Sequence, residues 1–123
     1  MTALQTMREL KAHFVGLANP TRLAIIAELA QGDATGSELA RRLKLSQPLL
    51  SWHLRVMRRA ALINTRRVGR ELLCSLDRAG IRASQERFNH FIGLPATQPS
   101  ARVAGGGRDV LLTDTSKETA NAI

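Results

Sequence analysis

The chain holds little from which redox, membrane-spanning or aromatic chemistry could be built. Of 123 residues one is cysteine, Cys74, so no disulfide can close within it. A lone thiol suits a reducing cytosol. Aromatic residues make up 3%, so any core must come from Leu, Ile, Ala and Val. No apolar run approaches the roughly 20 residues a membrane span needs. The opening MTALQTMREL lacks the basic start and apolar centre of a secretory signal. The expected location is therefore the cytoplasm. There is no Gly-rich phosphate loop, no H-E-x-x-H and no paired-carboxylate or nucleophile motif, and the chain is short for a closed catalytic cleft; an enzyme is not expected.

A second absence is more informative. Between Leu39 and Arg70 there is no Asp or Glu, while Arg41, Arg42, Lys44, Arg55, Arg58, Arg59, Arg66, Arg67 and Arg70 all fall there. The net charge is +8. From Pro95 onward Arg102, Arg108 and Lys117 balance Asp109, Asp114 and Glu118, so the surplus belongs to the part before it. Such a balance calls for a polyanion, either nucleic acid or an anionic membrane surface. Most of the apolar residues, and every Phe and Trp, lie between Leu4 and Leu94, which places one folded domain at 1–94. Residues 95–123, with Pro, a Gly triplet and many small polar residues, are expected to be a disordered tail in which only Val110-Leu111-Leu112 could dock.

Periodicity orders the domain. Leu4, Met7, Leu10, Phe14 and Leu17 recur at helical spacing and predict a first helix over 4–18; His13 is expected at its surface or in an interface. Asn19-Pro20 opens a second helix, Asn as cap and Pro at the first position, which ends at Gly32 with Leu23, Ile26, Ala27 and Ala30 facing inward. Thr35-Gly36-Ser37-Glu38 has the form of a capping box. It starts a short third helix, with Leu39, Ala40 and Leu43 apolar. Lys44-Leu45-Ser46 is a tight connection, and Ser46 caps a fourth helix running to Arg59 or Ala60. Two β-like runs, Leu62 to Val68 and Glu71 to Leu76, join at Gly69-Arg70 as a hairpin. Cys74 alternates with Leu72 and Leu76 and is expected to be a buried apolar residue. Asp77 caps a fifth helix reaching Ile92 or Leu94, with Ile81, Phe88, Phe91 and Ile92 apolar.

The fold expected is mainly α with a small β-hairpin. Two short helices joined by a three-residue turn and followed by a basic hairpin have the layout of a winged helix-turn-helix. At about 3.6 residues per turn, Leu50, Leu54 and Met57 fall on one side of the fourth helix. Pro48, Trp52, Arg55 and Arg59 fall on the other, with Gln47 and Ser51 at its margin and Ser46 at its start. Gln and Arg can pair bidentately with base edges. Arg41, Arg42, Lys44, Arg58 and the hairpin's Arg66, Arg67 and Arg70 suit phosphates. A charged helix face is usually only solvated, but such faces normally mix both signs. Trp52 is open to two readings, contact with a thymine methyl or packing in a core or interface. His53 lies beside Leu50 and Leu54 and reads as packed or phosphate-bonded.

The stretches LANPTRLAIIAEL (17–29), SELARRLKLSQPLLSWHLRVMRRAALI (37–63) and RRVGRELLCSL (66–76) resemble the ArsR/SmtB family of bacterial winged-helix regulators. The resemblance implies a homodimer that binds double-stranded operator DNA, with the fourth helix in the major groove. It implies an interface of the first and fifth helices, through Leu4, Met7, Phe14, Phe88 and Phe91. Trp52 departs from the small or basic residue usual at its place. The family's metal sites are incomplete here. Thr35 and Ser37 stand where a Cys pair is expected, and those are poor ligands for a soft metal. On the fifth helix Asp77 and His90 fit two places of the family pattern, but Ala79 and Gly93 occupy the other two, half of the four ligands a tight zinc site wants. No cofactor is therefore expected, and a separate sensor or co-regulator protein is a possible partner. The competing reading is a winged-helix interaction module that does not read DNA.

Overall fold

The computed structural model describes residues 1–96 and contains five helices and a three-stranded antiparallel sheet. The helices are α1 (Ala3–Leu17), α2 (Pro20–Gln31), α3 (Gly36–Leu43), α4 (Gln47–Arg59) and α5 (Arg78–Phe91). The strands are β1 (Ala34–Thr35), β2 (Ile63–Val68) and β3 (Glu71–Leu76), in the order β1-β3-β2. The expected winged helix is present. The two-residue β1 is an addition to the expected hairpin; Ala34 pairs with Cys74 and Thr35 with Leu73. The expectation of a disordered tail falls on residues that from 97 onward lie outside those described. None of the described helices is long and apolar enough to cross a membrane.

Capping fixes the helix starts. Thr2, Asn19, Thr35, Ser46 and Asp77 each accept a backbone N–H of the first turn through a side-chain oxygen, which satisfies donors a helix start leaves unpaired. Thr35 and Glu38 form a full capping box. The Thr35 amide is the main reason that the Glu38 carboxyl is held below the usual carboxylate range, and Arg42 and Arg41 add to it. Gly69, at φ +64°, turns the hairpin whose register runs from Ile63 opposite Leu76 to Val68 opposite Glu71.

The core joins Ile25, Leu29, Leu39, Leu50, Leu54, Met57, Leu62, Ile63 and Cys74. Its aliphatic make-up follows from the scarcity of aromatics. Cys74 is fully buried, and burial pushes its thiol up to about 11. Two expectations are corrected. In α2 the buried residues are Arg22, Ile25 and Leu29, whereas Leu23, Ala27 and Ala30 are exposed; of the four expected inward residues only Ile26, half-buried, packs against the core. The helix is turned because Arg22, charged yet buried, has its partners inside the protein. His13 is not at the surface. It is buried on α1 with Leu10 and Gly16, its Nδ1 has no hydrogen-bond partner, and burial, then the Arg87 charge, hold its pKa below the ordinary histidine value.

Gly16 lets α1 press on the end of α4. A Cβ placed there would lie 2.8 Å from Ala60 Cβ and 2.9 Å from Leu62 Cδ1. Neither neighbour is the flexible end of a long side chain. Gly16→Ala is expected to lower stability by about 1–3 kcal/mol through overpacking while keeping the fold; urea unfolding followed by circular dichroism checks this, and an unchanged midpoint contradicts the close approach.

Candidate nucleic-acid interface

α3 and α4 are joined by Lys44, Leu45 and Ser46, and the chain turns because Lys44 adopts a left-handed conformation at φ 56°. The amphipathic split of α4 matches its sequence. Leu50, His53, Leu54 and Met57 are buried, and Gln47, Pro48, Ser51, Trp52, Arg55 and Arg59 are exposed. Ser46 stands exposed at the start, with its hydroxyl accepting the Leu49 N–H at 3.3 Å. Arg41 is exposed in the last turn of α3. Arg66, Arg67 and Arg70 are exposed on the hairpin. Gln47, Ser51, Arg67, Arg70, Ser37 and Glu71 line one cleft between the start of α4 and the hairpin. Glu71 is held there by Ser37, whose hydroxyl donates to Oε2 at 3.1 Å.

The arginines are not equivalent. Arg42 pairs with Glu38 at 3.0 Å and Glu28 at 3.6 Å, so its charge is already partnered within the domain. Arg58 donates to Thr65 Oγ1 at 3.2 Å and links α4 to β2. Arg59, at the end of α4, lines a cleft with Glu9, Ser84 and Arg87 on the side of α1 and α5. Arg55 carries no such engagement among the described residues and stands one turn beyond Ser51 on the exposed face.

The orientation of α4 depends on Arg22, which the sequence reading did not single out. Its Nε donates to Gly16 O and its NH2 to Val15 O, both at 2.9 Å, so it brings a donor to the Gly16 carbonyl and a second one to that of Val15, which also accepts the Ala18 N–H at 3.3 Å. Its NH1 lies 3.3 Å from His53 Nδ1. The guanidinium also sits over the Trp52 ring, 5.6 Å from its centroid. An Asn cap, Asn19, three residues before an arginine is the signal that could have found it: Asn19 Oδ1 accepts the Arg22 N–H at 3.1 Å and fixes where that side chain starts.

Among the interface candidates, Leu4, Met7, Phe14 and Phe91 are exposed and Phe88 is half-buried. Phe14 and Phe88 meet edge to face at 5.1 Å, and Arg87 pairs with Glu9 at 3.1 Å, so α1 and α5 lie side by side with exposed apolar residues on both. Ile92 and Leu94, just past α5, are exposed as well. Asp77 and His90 lie at opposite ends of α5 and are not brought together within one chain; Asp77 Oδ1 accepts the Gly80 N–H at 2.9 Å. No group of three or more His, Cys, Asp or Glu gathers among the described residues.

The comparisons agree with this geometry. The family described as bacterial regulatory protein, arsR family, matches residues 19–65. The HTH-type transcriptional regulator Rv2034 of Mycobacterium tuberculosis is 35% identical over 88 residues, which cover 72% of this chain and 82% of that protein. The transcriptional activator HlyU of Vibrio cholerae is 36% identical over 75 residues, covering 61% of this chain and 69% of HlyU. Among solved structures, an ArsR-like transcriptional regulator from Rhodococcus sp. RHA1 superposes with a TM-score of 0.64 at 31% identity, covering 72% of this chain and 83% of that one.

Burial, and secondarily the Arg22 charge, hold the pKa of His53 below the ordinary histidine value. The buried ring is neutral, with Nδ1 accepting from Arg22. A histidine depressed in the folded state takes its proton first in the unfolded one. Its stabilising effect is therefore complete above the unfolded value of about 6.5 and is lost as pH falls below it. His13 acts in the same direction. Unfolding midpoints measured from pH 8 to pH 5 are expected to fall steadily below about pH 6.5, and His53→Gln is expected to flatten part of that slope. A profile unchanged by the substitution rejects the role assigned to the ring.

Proposed function

This chain belongs to the ArsR family of bacterial regulatory proteins, whose members are transcriptional regulators and not enzymes, and from that premise we propose that it binds specific operator DNA as a homodimer. The carrying observation is the acid-free block from Leu39 to Arg70, whose exposed basic groups lie at the end of α3, along α4 and on the hairpin. In this reading α4 enters the major groove. Gln47, Ser51 and Arg55 meet base edges, with Pro48 and Trp52 beside them. Arg41, Ser46, Arg66, Arg67 and Arg70 hold phosphates; Arg59 completes the basic edge at the far end of α4.

The apolar surface of α1 and α5 supports the dimer. Leu4, Met7, Phe14 and Phe91 are each more than two-fifths exposed, apolar surface on the paired α1 and α5 that a second copy would cover by a two-fold axis. The two recognition helices would then address half-sites about one helical turn apart.

No complete metal site of the family type is proposed, since Thr35, Ser37, Ala79 and Gly93 stand where ligands would be needed. The Cys74 thiol, buried and raised, is a poor redox sensor. The signal is proposed to enter through another ligand or a separate partner protein.

Binding to the DNA upstream of its own coding region tests this. Arg55→Ala is expected to lower specific affinity by about 1–3 kcal/mol, while Arg66→Ala weakens binding to all sequences and reduces the salt slope by about 1. Zinc is expected to leave affinity unchanged. Loss of preference for any DNA over any other would favour the interaction module. Phe14→Glu is expected to sediment as a monomer and to bind the operator roughly two orders of magnitude more weakly, because the second half-site no longer benefits from tethering; a dimer that survives this change moves the interface elsewhere.

A further inference from the structure

We infer that Trp52 is a specificity-determining residue that selects a thymine in each operator half-site through the 5-methyl group of that base. The inference rests on the DNA-binding reading and sharpens it. Trp52 lies in the second turn of α4, one turn after Pro48 and between Ser51 and Arg55 on the exposed face, and half of its surface is open (49%). It does not belong to the core. It is nonetheless held: the Arg22 guanidinium covers it at 5.6 Å and the His53 ring lies 4.9 Å away at 60°. Arg22 is itself fixed by two carbonyls and His53, so its cation cannot swing away to a phosphate without giving up buried hydrogen bonds. Of the exposed apolar side chains on α4, Pro48, Leu49 and Trp52, only Trp52 is braced in this way among the described residues.

A braced indole presents an apolar surface at low entropic cost, since two torsions are already set. In the major groove the base edges offer hydrogen-bond donors and acceptors, and the thymine 5-methyl is the one apolar group. An indole carbon surface pressed against a carbonyl or amino edge would remove water from it and return no hydrogen bond beyond the single indole N–H. Against a methyl it removes only apolar surface. Thymine is therefore the base whose edge this side chain complements, and the discrimination comes from one methyl group.

The test selects binding sites for the full chain from random duplex DNA, then replaces each thymine of a selected site by deoxyuridine, which keeps base pairing and lacks only the methyl. At one thymine per half-site the wild-type protein is expected to lose about fourfold in affinity, the value of one buried methyl-sized group. Trp52→Ala is expected to bind thymine and deoxyuridine equally there, whereas Arg55→Ala keeps the thymine preference. Trp52→Phe, which retains an apolar ring, is expected to keep part of it. Wild-type indifference to deoxyuridine at every position overturns the inference while leaving DNA binding intact, as does a Trp52→Ala protein that remains fully methyl-sensitive. Failure to enrich any sequence overturns the DNA-binding reading and this inference with it.

Discussion

The buried guanidinium of Arg22 is the contact on which the arrangement of the other parts depends. A charge removed from water without partners costs several kcal/mol. Here the carbonyls of Val15 and Gly16 and the ring nitrogen of His53 surround it. One side chain of α2 thus closes the C-terminus of α1, orients α4 and braces Trp52. Helix α1 has no basic residue in its own last turn, so the favourable cation at its negative end is supplied by the next helix. The His53 ring, whose pKa is held down first by burial and then by the Arg22 charge, is part of the same contact.

Around that contact the division of labour among charges becomes legible. Positive residues of similar appearance in sequence differ by what they touch. Arg42 is drawn into ion pairs with Glu28 and Glu38, and Arg58 ties α4 to the hairpin through Thr65. Arg55 and the hairpin arginines remain outward. The acid-free block is therefore not a uniform basic coat; part of it assembles the domain and part is left for a polyanion.

Much of the fold could be read from sequence because its signals are local. The caps at Asn19, Thr35, Ser46 and Asp77, the αβ order and the buried side of α4 depend on neighbours within a few residues, and they agree with the structure. The inward face of α2 was misplaced because apolar counting favours Leu23, Ala27 and Ala30, while the structure buries an arginine whose partners are six, seven and 31 residues away. His13 and β1 were missed for the same reason, since the burial of one and the pairing of the other are set by elements distant in sequence. The exposed face of α4 was read correctly by helical period alone; which of its arginines are already engaged required coordinates.

The contact at Gly16 has a mechanical consequence. Because α1 meets Ala60 and Leu62 with no room for even a methyl group between them, the helix carrying Leu4, Met7 and Phe14 touches the C-terminal end of α4 directly. In the proposed dimer a tilt between two copies would change the distance between their α4 helices, and the pitch of the DNA would be the ruler against which that distance is measured.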